Sequence, residues 1–136
     1  MITVLAGWPD LAEVPASCGT GRALRSAQRE IVHSHSDRHA DLHLTAGVIG
    51  RLETDLVSSP AIRLVPGSQW VTIGLRTNTD IHLLMTLVSL ALKTHQTCPV
   101  PGDTPSVACN DRFSASLARE APRGQLRAAP FRQVEV

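Results

Sequence analysis

This sequence is poor in aromatic side chains, with two Trp, two Phe and no Tyr, together 3% of 136 residues. It also lacks an excess of either charge: 13 Lys and Arg against 12 Asp and Glu leave a formal +1. Binding nucleic acid wants a basic surface and aromatic faces for stacking, and an acidic membrane wants the former, so neither is an expected partner. Cysteine is scarce too. Cys18, Cys98 and Cys109 are an odd number, and no two of them form a C-x-x-C. A disulfide framework is therefore not expected, and the chain reads as a cytoplasmic protein kept reduced. Long hydrophobic runs are missing as well. The most apolar window, Ile81 to Leu92, is interrupted by His82, Thr86 and Ser89, and it falls short of the roughly 20 residues a bilayer requires. Met1 to Leu5 carry neither the basic lead nor the long apolar stretch of a secretory signal.

What is present suffices for one domain of ordinary size. The 43% hydrophobic fraction must build its core from Leu, Val, Ile and Ala. Met1 to Gly21, with the run Ile2-Thr3-Val4-Leu5 and then short broken pieces, reads as a loosely ordered lead-in. Arg22 to Ala27 and Arg29 to Ser36 read as strands joined by a tight turn near Gln28. In Ala40 to Thr45, Ala40, Leu42 and Leu44 face one way while Asp41, His43 and Thr45 face the other, which is the period of a half-buried strand. Thr45 then suits the N-cap of a helix over about Ala46 to Val57. Gly47 and Gly50 weaken that helix by roughly 1 kcal/mol each relative to Ala, and Ser58-Ser59-Pro60 ends it.

Ala61 to Pro66 is a further strand, and Pro66-Gly67 suits a type II turn with positive φ at the glycine. Trp70 to Arg76 alternates, with Val71, Ile73 and Leu75 on the expected core face and Trp70, Thr72 and Arg76 opposite. Thr77 to Asp80 starts a helix running from about Thr79 to His95 that is apolar nearly all round. Either the sheet wraps it, or Ile81 to Leu92 meets a second copy in a homodimer. Beyond Thr97, Pro, Gly and small polar residues dominate. Residues 97–136 therefore read as a mostly disordered tail, with a short turn near Ser114 to Glu120.

One cluster could carry chemistry. His33, His35, Asp37, His39, Asp41 and His43 place four of the six histidines within eleven residues. Imidazole and carboxylate bind divalent metals, and imidazole moves protons near neutral pH. His33 and His35 share a strand face, as do Asp41 and His43. A three-residue loop between the strands would bring the four polar groups together. A two-residue loop, Asp37-Arg38, would pair residue 35 with Ala40 and 33 with Leu42, and send the histidines to the apolar face. No H-E-x-x-H or C-x-x-C supports a metal. A divalent ion on His33, His35, Asp41 and His43 is thus an alternative and not the preferred reading, and the bland reading of surface or hydrogen-bonded histidines stands beside both. Trp70 with Arg63, Thr72 and Arg76 is a weaker second candidate, where Arg would clamp a carboxylate or phosphate, and a tryptophan packed under a neighbouring loop is the preferred reading of Trp70. Ser68 sits in no G-x-S-x-G elbow, so it is not read as a nucleophile.

The ordered pattern Arg29-Glu30-Ile31-Val32-His33-Ser34-His35-Ser36-Asp37, then Ala40-Asp41-Leu42-His43-Leu44, then Val65-Pro66-Gly67-Ser68-Gln69-Trp70-Val71-Thr72, then Asp80 and Leu87-Val88-Ser89-Leu90-Ala91, resembles small bacterial proteins of the luciferase family, or luciferase-domain proteins. The resemblance spans about Gly21 to His95. It implies a compact α+β domain of no established reaction. The family pattern often carries Pro-Asp-Ser-Gly-Trp preceded by a histidine. Here the run is Pro66-Gly67-Ser68-Gln69-Trp70, and Arg63 stands near the histidine's place, so chemistry resting on that histidine would be lost. The chain is far too short for the flavin-dependent luciferase barrel.

The expected fold is α+β: an antiparallel sheet of four to five strands, with two helices packed mainly on one face, over residues 22–96. Three functions follow as expectations. The best supported is small-molecule binding on a His-rich open sheet face by His33, His35, Asp41, His43, Arg63, Trp70 and Arg76. The others are a small enzyme of a bacterial specialised pathway, using His acid/base or metal chemistry, and a homodimerising interaction module. No cofactor can be named from the residues.

Overall fold

A computed structural model describes residues 2–19, 21–26, 29–97, 108–110 and 132–133. The elements, in order, are α1 (Ile2–Ala6), β1 (Ala12–Pro15), β2 (Arg22–Ser26), β3 (Arg29–Ser36), β4 (His39–His43), α2 (Ala46–Arg51), α3 (Glu53–Ser58), β5 (Ile62–Leu64), β6 (Trp70–Gly74), α4 (Asn78–Thr97) and β7 (Arg132–Gln133). The seven strands form one sheet in the order β1-β2-β3-β4-β6-β5-β7, and each paired neighbour is antiparallel. The α+β class is as the sequence implies, with more strands than its patterning reveals. Part of the lead-in is ordered: Ile2–Ala6 is a helical turn and Ala12–Pro15 pairs with β2. The turn near Gln28 and most of the expected tail lie outside the described residues, but Cys109 and Asn110 are buried.

Local chemistry explains the boundaries. The Thr77 hydroxyl accepts from Asp80 N at 3.2 Å, while the Asp80 carboxylate accepts from Thr77 N at 3.2 Å and Arg76 N at 2.9 Å. This reciprocal box satisfies backbone donors that α4 would otherwise leave bare. Thr45 caps α2 as expected, its hydroxyl accepting from Val48 N. The helix does not run on to Val57, however. Leu52, at φ −103 and ψ 10, separates α2 from α3, after two glycines that hold helical φ and ψ poorly. Gly67 takes φ 82, and Ser68 N donates to Val65 O at 3.0 Å, closing the Pro66-Gly67 turn.

The principal core lies between one sheet face and the helices. Leu24, Val32, Leu42, Val71 and Ile73 meet Leu84, Val88, Ala91 and Leu92 of α4. Leu83, Met85 and Leu90 are half-buried against the same core. The opposite face is not uncovered, which corrects the expectation of an open sheet. There Trp70 packs with Ala23, Ala16, Cys18 and Cys109 in a second, smaller cluster.

Candidate functional site

Two bulges place the polar groups of the second face. The β3–β4 hairpin turns on Asp37-Arg38, with Ser36 opposite His39, yet further along His33 faces Asp41 and Val32 faces Leu42. The two-residue turn is therefore the one formed, and alone it would have sent the histidines to the apolar face. The register shift between His33 and Ser36 inserts one residue and reverses that parity. A second shift lies between β2 and β3, where Leu24 faces Val32 but Arg25 faces Glu30. It leaves Ile31 unpaired, so that Ile31 and Val32 both enter the core. It also brings Glu30 to the face of His33, although residues three apart on a regular strand point to opposite sides.

His33 is the hub. Its Nε2 lies 2.9 Å from Glu30 Oε1, and its Nδ1 lies 3.7 Å from Cys18 Sγ. Glu30 Oε1 also accepts from Ser17 N at 2.9 Å. His35 Nε2 is 3.6 Å from Cys109 Sγ, 3.9 Å from Cys18 Sγ and 3.8 Å from Asp41 Oδ2. One ligand atom from each of Cys18, His33, His35 and Cys109 lies within 4.8 Å of the other three. These are the described residues best placed to hold a metal, and they differ from the set the sequence suggests. Asp41 instead accepts at Oδ1 from Thr72 Oγ1 at 2.7 Å. Asn110 Nδ2 donates to Thr72 Oγ1 at 3.0 Å, and Ser68 Oγ donates to Asn110 Oδ1. His43 stacks on Trp70, with centroids 4.9 Å apart and planes at 11°, and its Nε2 is 3.3 Å from Gln69 Oε1.

Trp70 lies between His33 and His43, 2% exposed. It packs against Ala16, Cys18 and Cys109, as in the preferred of the two sequence readings, and is not among the residues that line the cavity holding the arginines. Its indole N–H is buried with no acceptor among the described residues. Arg63 and Arg76 do line a common cavity of about 250 Å³ with His39, Thr72, Thr77 and Asp80. Thr72 thus has the Asp41 network on one side and this cavity on the other.

Burial sets the protonation of the imidazoles. It lowers His33, against the opposing pull of Glu30, and with the neighbouring His95 it pushes His43 down to about 4. His39 is lowered by burial and then by the positive charges of Arg63 and Arg76. At neutral pH the three rings are therefore neutral donors and acceptors.

Sequence reasoning missed Cys18, Cys109, Glu30 and Asn110. Cys18 and Cys109 stand 17 and 74 residues from His35, so no ligand spacing could have signalled them.

These features define a small α+β domain with a polar site enclosed on the second face of its antiparallel sheet. Residues 28–91, just under half of the chain, match the family model described as Luciferase domain. The matched stretch contains most of the ordered pattern that begins at Arg29, so this part of the chain is similar to a luciferase domain. No curated protein and no solved structure matches it.

Proposed function

We infer that this domain binds a small anionic molecule, held by Arg63 and Arg76 in the cavity at the end of the polar sheet face. The observation that carries the reading is the meeting of Arg63, Arg76, His39 and Thr72 around one space of about 250 Å³. Guanidinium pairs carboxylate or phosphate in a two-pronged fashion. A space of that size is below the 300–1,000 Å³ of typical ligand pockets, which favours a compact acid over a flavin-sized cofactor. Asp80 also lines the cavity, but its carboxylate is engaged by two backbone N–H groups at the start of α4.

His39 gives the reading a second handle. Burial and, after it, the positive charge of Arg63 and Arg76 lower its pKa, and that charge is what an anion would neutralise. Ligand uptake should therefore raise the His39 pKa and strengthen as pH falls through the His39 titration. The test is a thermal-shift and calorimetric screen of small mono- and dicarboxylates and phosphate, with Arg63→Ala and Arg76→Ala. A true ligand at about 100 times its Kd should stabilise the wild type by about 2.7 kcal/mol, and either variant should lose most of that. Equal shifts in wild type and both variants would sink the reading.

A further inference from the structure

We propose that Cys18, His33, His35 and Cys109 form a closed, four-ligand zinc site that fastens the loop after β1 and the segment around Cys109 to β3. This goes beyond the anion cavity and does not depend on it.

The geometry is the first reason. Zinc bonds of about 2.3 Å to sulfur and 2.0–2.1 Å to nitrogen, at tetrahedral angles, set sulfur–nitrogen edges of about 3.6 Å. The observed edges are 3.7 Å for Cys18 to His33, 3.9 Å for Cys18 to His35 and 3.6 Å for Cys109 to His35. All four ligand atoms fit within 4.8 Å. A thiol–imidazole hydrogen bond accounts for one such pair. It does not account for four soft or borderline donors, from three separate segments, facing a common centre.

The surroundings supply the second reason. Zinc-bound imidazole commonly gives its other ring nitrogen to a carboxylate, which fixes the ring and its tautomer. Glu30 stands at that position, 2.9 Å from His33 Nε2, so that Nδ1 is left toward Cys18. The same carboxylate oxygen holds Ser17 N, next to Cys18 in the chain, and so positions two ligands at once. Ala16, Ala23 and Trp70 form the apolar wall around the thiols.

The third reason is enclosure. His33 is 2% exposed and Cys109 1%. Cys18 is buried as well and His35 is partly exposed, its side chain at 20%; four protein donors complete a tetrahedral shell and describe a structural site with no open position for water. Two thiolates with two imidazoles are the donor set that zinc prefers over magnesium or calcium. On binding, each thiol releases its proton and the resulting thiolates neutralise the ion's charge.

The test uses the full chain, isolated with reductant, assayed for bound metal and then titrated with Co²⁺ followed by Zn²⁺. We expect one zinc per chain, a fall in Tm on chelation, and intense visible cobalt bands with thiolate-to-cobalt charge transfer that zinc abolishes. Cys18→Ser and Cys109→Ser should lose the charge-transfer signature, whereas Cys98→Ser should keep it. Glu30→Gln should weaken zinc binding about 10–100-fold. No stoichiometric metal in the reduced wild type, with a Tm indifferent to chelator, would overturn the proposal even if the variants fail to fold. So would a cobalt spectrum that survives loss of Cys109, or a Cys18–Cys109 disulfide occupying the site in place of metal.

Discussion

His43 shows how burial turns a single side chain into a pH liability. It is stacked on Trp70, close to His95, and 5% exposed. Its folded pKa of about 4 lies below the ordinary histidine value of 6.5, so the unfolded chain takes up the proton more readily. The stability that neutral His43 contributes is present above pH 6.5 and is lost as pH falls from there to about 4. The shift corresponds to about 3 kcal/mol. His33 and His39 are lowered as well and act with the same sign. His43→Phe keeps an aromatic ring against Trp70 but cannot charge. In urea unfolding at pH 7 and pH 4.5, its stability should fall by about 2–3 kcal/mol less than that of the wild type. Parallel losses in the two proteins would show that His43 is not the group responsible.

Among the elements, the loop that delivers Cys18 is held close to the sheet at Gly21. Gly21 takes φ +79, and a Cβ there would come within 2.2 Å of Ser34 O and 3.0 Å of His35 Cα. Only glycine lets this loop lie so close to the β3 backbone that bears both ring ligands. Gly21→Ala combines an unfavourable backbone conformation with a collision against main chain that cannot swing aside. It should cost about 2–4 kcal/mol, read as a lower urea midpoint, and should displace the Cys18 loop. Gly47 and Gly50 lie in α2 with open space where a Cβ would go, so alanine at either should be neutral or stabilising by up to about 1 kcal/mol. A Gly21→Ala protein as stable as wild type would refute the close-approach account.

At the scale of the molecule, one sheet carries two unlike interiors. The face toward α4 is a continuous apolar core with Leu84, Val88 and Ala91 fully enclosed. The other face mixes apolar side chains with hydrogen-bonded polar groups, from the Ser68–Asn110–Thr72–Asp41 chain to the His–Cys cluster. Stability should rest mainly on the first. Leu84→Ala should cost about 2–5 kcal/mol, as lost burial plus the cavity it leaves, with the urea m-value unchanged. No helix among the described residues is long and apolar enough to cross a membrane.

Much of this architecture is legible in the chain itself. Alternation in Ala40 to Leu44 and Trp70 to Ile73, the Pro66-Gly67 turn and the Thr77–Asp80 box are local patterns, and local sterics and hydrogen bonding suffice to read them. The convergence of His33, Asp41 and His43 on one face is different. It follows from a bulge, which belongs to the pairing of two strands and is written in neither. Cys18 and Cys109 are likewise undistinguished by spacing, because through-space proximity across 17 and 74 residues is created only when the sheet closes. The sequence alone thus determined the periodic elements and which side chains could do chemistry. Tertiary structure alone decided which of them meet, since a one-residue slip in register reverses every side chain beyond it.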